Sequence, residues 1–97
     1  MQQFHKLSNL IKSKNITHNG IEYIYELKSF EGGEVASFGI VLYEICVRLI
    51  KDSISSFYRT GGLFTYFEKA IRFFDFLCDN LATPQNIPYI IEDCFSF

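Results

Sequence analysis

The longest apolar stretch of the chain runs from Gly33 to Lys51, GEVASFGIVLYEICVRLIK. At 3.6 residues per turn its polar side chains Ser37, Glu44, Arg48 and Lys51 share one narrow wedge. Val35, Phe38, Val41, Leu42, Ile45, Cys46, Leu49 and Ile50 fill most of the remaining circumference. A helix apolar over so wide an arc needs neighbours on several sides. The pattern therefore predicts a central helix over about 34–51 wrapped by the rest of the chain. On such a helix Glu44 and Arg48, four residues apart, pair along one face.

The flanking segments supply the neighbours. Phe4, Leu7, Leu10 and Ile11 recur at helical spacing and predict a first helix over about 2–13, followed by the turn residues SKNITHNG. IEYIYELKSF, Ile21 to Phe30, admits two readings. Ile21, Tyr23, Tyr25 and Leu27 alternate with Glu22, Ile24, Glu26 and Lys28 after Asn19-Gly20, as in a strand leaving a hairpin turn. In the other reading Asn19 is an N-cap, Glu22 closes a capping box and Gly32-Gly33 ends a helix. The helix is preferred because no second strong strand is evident to pair with a strand here, and an isolated hairpin is marginal.

Asp52 or Ser53 caps a short helix carrying Ile54, Phe57 and Tyr58, ended by Gly61-Gly62. Over about 63–81, Phe67, Ala70, Ile71, Phe74, Leu77, Cys78 and Leu81 follow the i, i+3, i+4, i+7 rule, the cleanest amphipathic pattern present. Thr83-Pro84 breaks it. Asn86 can cap a last helix, in which Pro88 falls in the first turn and removes no intrahelical bond. The expectation is one all-α domain over 1–97, a compact bundle of four or five helices.

Composition bounds the function. The chain has 97 residues, 48% of them hydrophobic and 21% charged, which suits a globular domain. Its net charge of −2 is uneven, +1 over residues 1–61 and −3 over 62–97. An acidic second half argues against direct nucleic-acid binding, since affinity for phosphates comes from clustered Lys and Arg. Cys46, Cys78 and Cys94 form no C-x-x-C pair, and neither His5 nor His18 has metal-ligand spacing to them. They read as buried thiols of a reducing, cytosolic compartment, with no metal and no cofactor expected. The N-terminus has no signal-peptide pattern, and Glu44 and Arg48 spoil the central run as a membrane span.

Phosphate-binding and hydrolase motifs are missing, so no catalytic residue is expected. SFGIVLYEI, Ser37 to Ile45, is similar to the large-lobe helix of protein kinases, but no H-R-D, D-F-G or A-P-E triplet accompanies it. Exposed aromatics are the better clue. Phe76 points away from the core side of helix 63–81, among Lys69, Arg72 and Asp79. Tyr23 and Tyr25 beside Glu22 and Glu26 form a second candidate patch. An aromatic anchor within a polar rim is the composition of a protein-binding hot spot, the alternative being that the short helix 53–59 or the C-terminal segment folds over Phe76 and that the tyrosines are likewise covered.

FEKAIRFFDFLCDNLATPQNIPYIIEDCFSF, a Phe-rich helix, a polar break and an acidic-apolar helix, follows the central helix. Over about residues 34–97 this order resembles the small helical immunity proteins of bacterial toxin systems, including those of contact-dependent growth inhibition. The resemblance implies a protein that binds a cognate toxin domain, often a nuclease, and covers its active site or substrate path. The acids Asp75, Asp79, Glu92 and Asp93, with Glu22 and Glu26, suit the basic cleft of such a partner. A phage-encoded inhibitor of a host defence enzyme and a helical adaptor or oligomerisation subunit, with a homo-oligomer possible, are the alternatives. If 34–51 and 63–81 form the core, Phe74→Ala and Leu42→Ala are each expected to cost about 2–5 kcal/mol in urea denaturation. Losses below about 1 kcal/mol in both would refute that core.

Overall fold

The computed structural model describes residues 7–31 and 41–95 of the chain. Its frame is a four-stranded antiparallel sheet in the order β1-β2-β3-β4, formed by Leu7–His18, Ile21–Glu31, Leu42–Lys51 and Ile54–Arg59. Helices α1 (Phe67–Asp79) and α2 (Ile87–Phe95) follow it. The all-α bundle is therefore overturned: α+β, not all-α, describes the fold. Where described, the segments expected as helices over 2–13, 21–30, 34–51 and 53–59 are strand, apart from Val41 ahead of β3 and Ser53 in a turn, while 1–6, 32–40 and 96–97 lie outside the described residues.

Two tight turns account for the hairpins. Asn19 and Gly20 both take positive φ, 54° and 77°, between the paired residues His18 and Ile21. A two-residue turn of this hand matches the twist of the strands it joins, and Asn-Gly is the pair that adopts it most readily. Asp52 and Ser53 do the same between Lys51 and Ile54, at φ 52° and 68°, without a glycine.

The second strand that the pattern failed to show is β1. It pairs with β2 along nearly its whole length, Lys12 opposite Leu27, Lys14 opposite Tyr25 and Ile16 opposite Tyr23. A bulge between Leu10 and Lys12 breaks its two-residue period, and this gave Leu7, Leu10 and Ile11 their helix-like spacing. On its inner side, lysines stand where apolar residues were sought. The Lys12 ammonium lies 5.5 Å from the centre of the Phe74 ring and 3.1 Å from an Asp75 carboxylate oxygen. Long lysine stems cover an apolar neighbour while the charge stays wet.

β3 explains the central-helix expectation. Ile45 and Val47 are wholly buried on the side facing the helices, and Glu44 and Cys46 are buried on the other side. A strand covered on both faces is apolar nearly throughout, and its sequence cannot be told by periodicity from a buried helix. Glu44 pairs with Arg59 of β4, with Nε and Oε1 3.4 Å apart, and not with Arg48 as a helix would require.

The core lies between the sheet and the helices. Tyr23, Tyr25 and Leu27 of β2 and Ile45 and Val47 of β3 meet Ala70, Phe73, Phe74, Leu77 and Cys78 of α1, with Ile87 of α2. α1 begins and ends inside its expected range of 63–81. Its end is a Schellman turn: the Ala82 N–H donates to the Leu77 carbonyl at 2.9 Å and the Leu81 N–H to that of Cys78 at 3.2 Å. Leu81 takes the left-handed position, φ 49°, that such a turn requires. Ahead of α2, Thr83 and not Asn86 supplies the cap, its Oγ1 accepting from the Asn86 N–H at 3.2 Å.

Phe74 is fully buried, so its expected loss to alanine stands, at about 3–5 kcal/mol. Leu42 is only partly buried and outside that cluster, so its loss belongs at or below about 2 kcal/mol. Ser53→Gly is expected to raise stability by about 0.5–1 kcal/mol, because glycine carries no side-chain penalty at positive φ. Urea titration of the variant checks this, and a destabilised Ser53→Gly would contradict the turn geometry.

Candidate partner-binding surface

α1 has one face in the core and the other in water. Phe73, Phe74 and Leu77 turn inward. Tyr66, Lys69, Arg72 and Phe76 lie at three- and four-residue intervals on the outer side, and all four are exposed. Tyr66 keeps two thirds of its surface in solvent and Phe76 nearly half. The Lys69 ammonium stands 5.7 Å from the Tyr66 ring centre.

Three aromatic rings run from the sheet to this surface. Phe64 follows β4 and is tied to β3, where the Tyr43 N–H donates to the Phe64 carbonyl at 2.9 Å. Its ring lies 5.4 Å from that of Phe73, which in turn stacks at 6.2 Å on Phe76. A shallow groove of about 400 Å³ runs along them, lined by Phe64, Lys69, Arg72, Phe73, Phe76 and Cys94 of α2. A second hollow of about 360 Å³ adjoins it, between Tyr66, Glu68, Lys69 and Arg72. Two cations thus border both an apolar floor and a polar one.

The expected residues are distributed as follows. Phe76 lies on the surface beside Lys69 and Arg72, lining the same groove. Asp75 is exposed and bound to Lys12 across the sheet–helix seam, while Asp79, Glu92 and Asp93 are exposed on the helices. Tyr23 and Tyr25 do not reach the surface, because strand alternation turns them inward and sends Glu22 and Glu26 to the opposite side of β2. Glu26 lies 3.6 Å from the Lys28 ammonium there. The Tyr25 hydroxyl donates to the Ala82 carbonyl at 2.8 Å, and burial holds its pKa far above the ordinary phenol value. The expected patch of Glu22, Tyr23, Tyr25 and Glu26 is therefore divided between the two faces of a sheet.

Lys69 and Arg72 were read from the sequence as the charged rim around Phe76, whereas Tyr66 was not singled out as a binding residue. The signal for Tyr66 was its place one turn before Lys69 in the same row of long side chains as Arg72 and Phe76. Phe64 and Cys94 could not be found that way, since they reach the groove from other elements.

Cys46 and Cys78 are buried, and Cys94, expected to be buried, is exposed. Desolvation raises the Cys46 thiol above its usual pKa, with Glu44 adding to it, and raises Cys78 to about 11. Among the described residues no group of His, Cys, Asp or Glu is placed to hold a metal ion, and no helix is long and apolar enough to cross a membrane. No family model, no curated protein and no solved structure matches the chain.

At pH 8 a thiol of pKa about 11 is thiolate in about one molecule per thousand. Cys94 is therefore expected to react with a thiol reagent well before Cys78 and Cys46, which should follow only on denaturation. Peptide mapping after brief alkylation checks the order. Equal labelling of the three cysteines in the native chain would contradict this placement.

Proposed function

We propose that this chain is a recognition protein that binds a protein partner through the outer face of α1 and the adjoining end of α2, and that the partner is a toxin domain it neutralises. The observation that carries the reading is Phe76, an aromatic ring nearly half exposed at the edge of an apolar groove, beside Lys69 and Arg72. A large apolar ring held rigid by a stacked neighbour loses little conformational freedom on binding, and charged side chains around it can exclude water from the contact.

The toxin-neutralising part rests on the second half of the chain. A Phe-rich helix, a polar break and an acidic-apolar helix are retained over 67–95, whereas the helical bundle before them is not. Exposed Asp79, Glu92 and Asp93 supply negative charge on the helical layer. Such charge speeds capture of a domain with a basic cleft and is screened by salt.

The test is co-purification with a toxin domain encoded beside the gene, followed by titration of that domain. Phe76→Ala and Asp79→Lys are expected to weaken the complex by at least about tenfold with the far-UV spectrum unchanged, and Phe76→Ala to abolish protection of growth. Binding within about threefold of wild type for both variants would refute this surface.

A further inference from the structure

β4 is the shortest strand, and among the described residues no strand pairs with its outer edge. The ladder fixes which backbone groups face that edge. The Thr60 N–H donates to the Ile45 carbonyl at 3.0 Å, one step beyond the pair Cys46–Arg59. In an antiparallel ladder the direction alternates, so Tyr58, Ser56 and Ile54 turn their N–H and C=O groups toward β3. Ser55, Phe57 and Arg59 turn theirs outward.

The two edges of the sheet are protected to different degrees. β1 carries Lys12, Lys14 and a bulge, features that discourage another strand from pairing. β4 (ISSFYR) has no lysine, no proline and no bulge, and it exposes Ile54 and Phe57.

We propose that the outer edge of β4 is a homodimer seam, where it pairs antiparallel with β4 of a second copy about a two-fold axis at Phe57. The register follows from geometry. Residues opposite one another must lie on the same face of the sheet, and their backbone groups must both point into the seam. With Phe57 opposite the partner's Phe57, Ser55 falls opposite the partner's Arg59, and Ser55, Phe57 and Arg59 can all exchange backbone hydrogen bonds. Centring the axis on Ser56 engages only Ser55 and Phe57 within the strand.

The side chains also fit a second copy of themselves. The Arg48 guanidinium lies 5.6 Å from the Phe57 ring centre, on the cross-strand neighbour of Phe57. The row across the seam is therefore Arg48, Phe57, the partner's Phe57 and the partner's Arg48, an aromatic pair with a cation at each end. Three strand spacings put the two guanidinium groups about 14 Å apart, beyond the screening length at physiological salt. Arg59 meets a serine, so no like charges face each other directly. The seam lies at the sheet edge and uses none of the helical surface assigned to the toxin.

Light scattering on the purified chain across a concentration series is expected to give twice the 11.3 kDa chain mass at the upper end. Amide exchange should slow at Ser55, Phe57 and Arg59 with rising concentration, while Ser56 and Tyr58 stay protected throughout. Ser55→Pro deletes an outward N–H and leaves the β3 ladder whole. Phe57→Lys sets two ammonium groups face to face. Each is expected to raise the dimer dissociation constant at least about tenfold with the far-UV spectrum retained. If Ser55→Pro unfolds the chain, Phe57→Lys decides. A chain monomeric at every concentration overturns the proposal, including one whose edge captures a strand of another protein. So does a dimer that Phe57→Lys leaves intact.

Discussion

The ring of Tyr25 lies wholly inside the protein, in the core shared by Leu27, Ile45, Val47, Phe74 and Leu77, and its hydroxyl reaches the carbonyl of Ala82. That hydrogen bond joins the middle of the sheet to the turn that ends α1. A buried phenol without a partner is costly, and so is a buried carbonyl, so each group is satisfied only when sheet and helix are in register. The Schellman turn holds Ala82 in place by tying its N–H to Leu77. Helix end, strand alternation and core packing thus depend on one contact between layers.

Below the sheet a different set of interactions operates. Glu44 is buried there with Arg59 beside it, Lys28 opposite it on β2 and Cys46 two residues along the same strand. A buried carboxylate is tolerated when a cation lies near, and losing that cation leaves a desolvated charge. This places a structural role on Arg59, next to the edge where the seam is proposed. It also accounts for the raised Cys46 thiol, which shares its desolvated surroundings with a carboxylate.

The helical face offers recognition chemistry of another kind. Phe64, Phe73 and Phe76 carry rigid aromatic surface from the sheet to the exterior, and Lys69 and Arg72 edge it with charge. The proposed toxin contact and the proposed β4 seam lie on separate elements, one on the helical layer and one at the sheet edge. A dimer built on the seam would present two such helical faces. Linked sites of this sort gain avidity only toward partners that can reach both.

Sequence by itself determined the two helices and placed Phe76 on the side of the first that faces away from the core, while its exposure depended on what else packs there. α1 and α2 bury one side each, and a one-sided helix writes its 3.6-residue period into the chain. It also held the turn signal at Asn19-Gly20 and the alternation of Tyr23, Tyr25 and Leu27, both visible as a hairpin. Tertiary structure decided between that hairpin and a helix, because the deciding partner, β1, covers Phe74 with a lysine stem and is kinked by a bulge. It also decided β3, where burial on both faces erased the two-residue period, and so turned Tyr23 and Tyr25 from surface candidates into core. Which residues share the groove was likewise settled by packing, since Phe64, Phe76 and Cys94 come from three separate segments. Periodicity reports how many sides of an element are buried, and only the neighbours themselves fix what lies against each side.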